Sequence, residues 1–191
     1  MTDFNNKGIK NPDDNYGYSQ IEGFDDYSYN IISKLMTENE AIWKLLKHNT
    51  PDAWKESNLT TQEKRDMIYA GQPDETLYNV FTGDGQISAW VKEVCILRIF
   101  PLSLFPQNRT VTTTTIALDI YCHYRTSTLS NYKNRVDVIV KELIQSLNGK
   151  DIGVGLGKIF FNAVAAKESR IYESGQIPYK GKRMVMSTLQ G

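Results

Sequence analysis

The chain has few of the residues from which catalytic and metal centres are usually built. Its 191 residues include only two cysteines and two histidines, His48 and His123. Neither histidine has a cysteine or a carboxylate at the spacing typical of metal ligands. We therefore expect no metal site and no catalytic centre, and we interpret both histidines as structural or surface residues.

An excess of charge of one sign is also missing. The 22 basic and 22 acidic residues give a formal net charge of zero, so no global field attracts nucleic acid or an anionic membrane. Basic residues outnumber acidic ones only in the last third of the chain, where aromatic residues interleave them sparsely. A solvated face is therefore favoured there over a phosphate-binding surface. These basic residues include Lys133, Arg135, Lys141, Lys182 and Arg183.

Long hydrophobic runs are absent as well. No apolar stretch approaches the ~20 residues that a membrane helix needs, and the first residues are polar rather than basic followed by apolar. We interpret the sequence as that of a soluble protein without a secretion signal.

The two cysteines, Cys95 and Cys122, each fall on the apolar face of a predicted strand. If these strands form a hairpin that turns at residues 102–105, Cys95 lies opposite Thr114. A disulfide is then not expected unless the register is shifted. Two small buried thiols in a reducing compartment are the favoured interpretation.

One glycine-rich segment is similar to a phosphate-binding loop but lacks its defining residues. The run 153–158 ends in Lys158, yet Ile152 stands where that loop needs glycine and Ile159 where it needs serine or threonine. The segment also follows a predicted helix and precedes a predicted strand, which is the reverse of the dinucleotide-binding order. We interpret it as a turn into a strand.

The hydrophobic periodicity predicts an α+β fold with a mainly antiparallel sheet in β-β-α-β-β order, a covering helix and an N-terminal helical portion. Alternating residues predict strands over 86–100, 110–124, 158–166 and 182–189. An amphipathic stripe predicts a helix over 130–148. The stripe consists of Val136, Ile139, Val140, Leu143, Ile144 and Leu147.

The front of the chain divides into an arm and a helical portion. Residues 1–25 contain almost no aliphatic side chains, which predicts a flexible N-terminal arm. Over 27–48 the apolar spacing predicts one helix, or two short helices divided near 37–39, and a further short helix is predicted over 61–70 with Thr60 or Thr61 as its N-cap. We thus expect a single α+β domain over 26–191, with its helical portion at 26–71 and its sheet and helix core at 86–190.

Three segments are predicted to contact other protein chains. The apolar segment between the first two strands is stiffened by two prolines, and apolar surface of this kind usually marks a contact. The arm and the long connection at 167–181 are the other two. The candidate interface residues are Phe100, Pro101, Leu102, Leu104, Phe105, Pro106, Tyr16, Tyr18, Phe24, Tyr172 and Tyr179.

This order of elements, with a glycine-containing connection after the helix and the closing segment YKGKRMVM at 179–186, resembles the tail-terminator and head-to-tail connector proteins of tailed bacteriophages. The resemblance covers residues 86–190, and the helical front at 27–70 departs from the shortest members. It implies a structural virion protein that forms a hexameric or twelve-fold ring in the neck. Such a ring caps the tail tube or joins it to the portal, and lets DNA pass without sequence specificity.

The resemblance also implies partners and a location. The partners are further copies of this chain and the neighbouring portal, connector and tail proteins, with no cofactor, catalysis or membrane. The location is the neck or tail region of the virion, and the host cytoplasm during assembly. The alternatives are a small enzyme, or a nucleic-acid-binding or other phage assembly module without catalysis.

Overall fold

The computed structural model describes residues 26–71, 78–83, 93–106, 112–152, 158–168 and 179–189. These residues form four α-helices and a six-stranded mixed sheet with strand order β1-β2-β3-β6-β5-β4. The protein is therefore α+β, as predicted. The helices are α1 Tyr27–Glu38, α2 Glu40–Lys47, α3 Thr61–Asp66 and α4 Arg135–Leu147, and the strands are β1 Val80–Thr82, β2 Cys95–Pro106, β3 Thr112–His123, β4 Lys150–Asp151, β5 Lys158–Glu168 and β6 Tyr179–Leu189.

The four long strands and α4 follow one another in the predicted order, but two short strands extend the sheet. β1 pairs with β2 in parallel, with Val80 opposite Leu97, and the remaining pairings are antiparallel. The sheet is thus mixed, and the β-β-α-β-β order is incomplete as a description of it. A strand of three residues is too short for its alternation to be recognised in the sequence, although Val80 and Phe81 are both buried.

The β2–β3 hairpin is longer than predicted. The segment that was expected to form the turn, 102–105, continues β2, and Phe105 pairs with Thr113. This change of register also corrects the position of the cysteines, because Cys95 lies opposite Cys122 and not opposite Thr114. Residues 86–92, the first half of the predicted strand, lie outside the described residues.

Pro101 is compatible with this long strand because its nitrogen faces away from β3. The amide of Leu97, four residues earlier, donates to the Asn79 carbonyl at 2.8 Å, so odd-numbered amides of this part of β2 point toward β1. The described β1 pairs no further than Ile99. A proline at 101 therefore removes no ladder hydrogen bond between the described strands, and the register shift between Pro101 and Ser103 is a typical place for a proline.

The helices cover one face of the sheet and share its hydrophobic core. Leu97, Ile99, Ile116, Leu118 and Ile120 are fully buried on this face. The predicted stripe of α4 is confirmed: all its members are buried except Ile144, which is partly buried against the core. These buried members are Val136, Ile139, Val140, Leu143 and Leu147.

α4 begins at Arg135 rather than at residue 130. Tyr132 has a φ of 62°, which is incompatible with a continuous helix. The Asn134 side chain caps α4 by accepting from the amides of Val136 and Asp137. Arg135 was expected on a solvated face, and that expectation is wrong, because its side chain is 0% exposed.

The break that the sequence left open in the N-terminal helix is present, and Asn39 makes it. Asn39 follows α1 and has an extended backbone, and its Oδ1 atom accepts from the Ile42 amide at 3.0 Å to begin α2. Its Nδ2 atom donates to the Ser146 hydroxyl of α4 at 2.8 Å. The same side chain thus caps α2 and ties it to α4.

α3 begins at Thr61, as predicted, and ends at Asp66 rather than at residue 70. Thr60 and Glu63 form a reciprocal capping box. Beyond the helix, the Tyr69 amide donates to the Val80 carbonyl at 2.9 Å, so the chain is already paired with β1.

Regular alternation along the predicted strand 158–166 puts Ile159, Phe161 and Ala163 on one face, and this expectation is wrong beyond Phe161. The register of β5 shifts between Phe161 and Ala163, so Val164 rather than Ala163 lies opposite the buried Met184 and packs against the core. Phe161, before the shift, lies opposite the buried Met186 and is 37% exposed.

Alternation along the predicted strand 110–124 places Tyr124 on the apolar face with Ile116 and Ile120, but Tyr124 lies in a 3₁₀ turn after β3. It is 46% exposed.

Candidate functional site

The far end of the β2–β3 hairpin exposes apolar side chains. Leu102 and Phe105 are 42% and 57% exposed, and Pro101 and Leu104 are half-buried. We refer to these four residues as the hairpin tip. Among the described residues, β3 is the only strand that pairs with this part of β2, so the tip also lies at a sheet edge.

A groove with a volume of about 790 Å³ opens at the base of the hairpin tip. α1, α3 and the end of β1 form its walls, and Pro101 contributes from β2. The lining is mostly apolar, with Ile32 and Met36 on α1 and the positively charged Arg65 on α3. Tyr27, the first residue of α1, lines the groove as well.

The hairpin tip and the start of β6 lie at opposite ends of the sheet. The tip lies where β2 ends and β3 begins. β6 begins at the other end of β3, since Tyr179 pairs with His123. The connection at 169–178, which precedes Tyr179, lies outside the described residues, but the strands that it joins end on the side away from the tip.

Two of the predicted interface residues are buried within the subunit. Phe100 is 6% exposed, and the guanidinium groups of Arg98 and Arg183 lie 5.4 Å and 5.2 Å from its ring centre. Tyr179 is 4% exposed, its ring lies 5.4 Å from that of His123, and burial raises its pKa to about 12. Pro106 ends β2, and Tyr16, Tyr18, Phe24 and Tyr172 lie outside the described residues.

A buried ion pair occupies the sheet face opposite the helices. Asp119 is 0% exposed, and the Arg183 guanidinium donates to its two carboxylate oxygens at 2.6 Å and 2.7 Å. The Tyr121 hydroxyl donates to the same carboxylate at 3.3 Å, and burial, with the charge of Asp119, raises the pKa of Tyr121 to about 12. Arg183 therefore forms its ion pair within the subunit. Lys182 also forms one within the subunit, with Asp137.

Sequence reasoning missed this ion pair and also two exposed aromatic side chains near the helices. Trp54 and Tyr132 are 44% and 94% exposed, and the Trp54 indole donates to the Ser130 hydroxyl at 3.2 Å. A second cavity of about 540 Å³ lies beside Trp54. Polar and turn-forming residues flank both aromatics in the sequence. Such residues predict turns, and they give no indication that the aromatic side chains are exposed.

Two further findings concern the described part of the chain alone. No group of three or more His, Cys, Asp or Glu residues is placed there so that it could hold a metal ion. None of the helices described is both long enough and apolar enough to cross a membrane. The glycine-rich residues 153–157 lie outside the described residues.

Comparison with known proteins supports a phage origin. No curated protein matches the chain. A phage-derived family model matches residues 39–188, from the N-cap of α2 to the penultimate residue of β6. The family is YomW, and because the match spans well over half of the chain, the protein belongs to the YomW family.

Proposed function

We propose that this protein is a structural subunit of a phage neck, where copies of it form a ring that caps the tail tube or joins it to the portal. Membership of a phage-derived family supports a role in a phage. The four long strands and α4 have the order found in tail-terminator and connector proteins. Six or twelve copies are proposed from that resemblance alone.

The observation that carries the proposal is the exposed hairpin tip beside an open apolar groove. Leu102 and Phe105 expose apolar surface to water, and burying such surface in a neighbour is favourable by about 25 cal/mol per Å². A tip and a groove are two different patches. Contacts between two different patches on identical subunits close into rings when the rotation between subunits allows it.

The opposite end of the sheet supplies the second set of contacts in this proposal. β5 ends and β6 begins at the end of the sheet away from the tip, and the portal, connector or tail protein that stacks on the ring is assigned to that end. The subunit carries no net charge, so a ring built from it does not hold DNA by a strong general attraction. From the resemblance to neck proteins, we further propose that DNA passes through the lumen without sequence-specific binding and that the protein resides in the virion after assembly in the host cytoplasm.

The test is a double variant at the tip, Leu102→Ser with Phe105→Ser. Both side chains are exposed, so the variant should fold with a nearly unchanged melting temperature and fail to form rings in light-scattering and electron microscopy measurements. The matched control is Tyr132→Ser, which removes an aromatic side chain that is 94% exposed on the helical side and should leave rings intact. A folded double variant that forms rings as well as the wild type would refute the role of the tip.

A further inference from the structure

Cys95 and Cys122 face each other at the base of the β2–β3 hairpin. They are direct cross-strand partners, both are free thiols, and both are 0% exposed. The His123 amide donates to the Val94 carbonyl at 3.1 Å, so Val94 and His123 form a hydrogen-bonded pair. The next pair, Cys95 and Cys122, is therefore of the non-hydrogen-bonded kind, in which side chains approach most closely.

This type of pair has the spacing that a disulfide requires. Directly opposed residues in a non-hydrogen-bonded pair have Cα atoms about 4.5 Å apart, and disulfides join Cα atoms about 4.4–6.8 Å apart. The backbone therefore needs no rearrangement of register for the two sulfur atoms to bond.

The surroundings distinguish the two thiols chemically. The Cys122 sulfur lies 3.3 Å from the Thr126 hydroxyl, and the buried Arg135 guanidinium donates to the Thr126 carbonyl at 2.7 Å. A hydrogen bond from the Cys95 thiol lowers the pKa of Cys122, and Thr126 and Arg135 act in the same direction. The hydrogen bond to Cys122, together with burial, raises the pKa of Cys95. Cys122 is thus the sulfur that more readily becomes a thiolate, and Cys95 is the proton donor beside it.

We propose that Cys95 and Cys122 are a redox dithiol, a modification site that closes to a cross-strand disulfide when a peroxide oxidises it. The Cys122 thiolate attacks one oxygen of hydrogen peroxide, breaks the O–O bond, and becomes a sulfenic acid as hydroxide leaves. The Cys95 sulfur then attacks the Cys122 sulfur, and the displaced hydroxyl leaves as water with the Cys95 proton. Two thiols lose two electrons and two protons, and one peroxide becomes two waters.

The position of the pair gives this bond a function within the proposed role in a virion, on which this step of the inference rests. Thiols stay reduced in the cytoplasm, where phage particles assemble, and disulfides persist outside the cell. The bond would join the strands at the end of the hairpin away from the tip. It would hold the hairpin that carries Leu102 and Phe105 closed after the particle leaves the host.

The experiment oxidises the purified full chain with hydrogen peroxide and compares it with the reduced chain. We expect the intact mass to fall by two hydrogens, peptide mapping to link Cys95 to Cys122 within one chain, and the melting temperature to rise by roughly 5–10 °C. Dithiothreitol should reverse all three changes. The single variants Cys95→Ala and Cys122→Ala should show no such rise on the same treatment.

Two results on the wild-type chain would overturn the proposal. One is that both thiols stay free in the folded chain under conditions that oxidise them in urea. The other is that the chain gains oxygen atoms without the cross-link. Neither result depends on ring formation, so a ring with two unreactive thiols would refute only the dithiol. A monomer that forms the disulfide would count only against the neck ring.

Discussion

At the residue scale, Arg135 joins the helical portion to α4. It is 0% exposed, and its guanidinium donates to carbonyl oxygens at the end of α2, in the turn that follows it and after β3. The last carbonyls of a helix lack partners within the helix, and a buried cation is well placed to satisfy them. The acceptors are the carbonyls of Leu45, His48, Thr50 and Thr126.

Replacing Arg135 with Met should therefore strongly destabilise the folded protein. We expect a loss of about 3–5 kcal/mol in the free energy of unfolding, since each buried carbonyl left without a donor costs about 1–3 kcal/mol. Urea denaturation measures the loss. The exposed neighbour Lys133 serves as the control, because Lys133→Met should change stability by less than about 0.5 kcal/mol. A stable Arg135→Met variant would show that water satisfies these carbonyls.

The ion pair between Asp119 and Arg183 gives a second prediction at this scale. Asp119→Ala leaves a cation without its buried partner, and we expect the free energy of unfolding to fall by about 3–5 kcal/mol. In the double variant Asp119→Leu, Arg183→Met, the loss should be smaller than that of Asp119→Ala, because neither charge is then left unpaired. Equal losses in the two variants would mean that the pairing contributes nothing.

Asp119 and Arg135 also show why the sequence alone does not predict these buried polar contacts. Asp119 and Arg183 lie directly opposite each other in β3 and β6, but α4 and β5 separate these strands along the chain. Local alternation cannot reveal which distant strands pair. The prediction for Arg135 was wrong for a related reason. Its position on α4 predicts a solvated side chain, but the end of α2 packs over it and accepts its hydrogen bonds.

At the scale of elements, α4 and the hairpin contrast in how well their sequences predict them. α4 repeats its apolar residues over thirteen residues, and that periodicity survives in the structure. The hairpin was misjudged because Pro101 and Pro106 indicate a loop, whereas the register lets β2 run through Pro101. The candidate site was likewise predicted only in part. The apolar character of the tip was predicted from the sequence. The groove beside it was not, because it is built from α1, α3 and β1, which are distant along the chain.

The core contact of α4 can be measured with Leu143→Ala. Leu143 is 0% exposed, and we expect a loss of about 2–5 kcal/mol in the free energy of unfolding from the lost contacts and the cavity. Gln145→Ala, at an exposed position of the same helix, should have little effect. If Leu143→Ala were as stable as the wild type, α4 would not cover the sheet with this face.

The capping box of α3 predicts a dependence on pH. Hydrogen bonds from Lys47 and from Thr60 lower the pKa of Glu63 from 4.5 to about 2. A carboxyl whose pKa is lower in the folded state stabilises the fold above its unfolded pKa, so the contribution should be present above pH 4.5 and lost as the pH falls toward 2.

The measurement compares the melting temperatures of the wild type and Glu63→Ala between neutral and acidic pH. The gap between them should narrow steadily below pH 4.5. Glu56→Ala, which removes an exposed carboxylate outside the capping box, is the control and should show no comparable narrowing. A gap that stays constant down to the acid limit would contradict the stabilising role of the ionised Glu63.

At the scale of the whole molecule, the described surfaces suit a subunit that other chains contact at both ends of its sheet. The tip and groove lie at one end of the sheet, and the strands that bound the β5–β6 connection end at the other. The family match begins at Asn39, so α1, which forms one wall of the groove, precedes the matched region. The sequence singled out candidate contact segments but not the ends of the sheet at which the tip and the start of β6 lie, because these depend on pairing between distant strands.

The most direct test of a ring-forming neck subunit is to image the purified full-length chain by electron microscopy at the highest concentration that it tolerates, with its mass in solution measured in parallel. We predict closed rings with a central opening wide enough for duplex DNA, and a mass that corresponds to six or twelve copies. The tip variant should abolish these rings. A wild-type chain that stays monomeric at every concentration and shows no closed assemblies would contradict the proposed function.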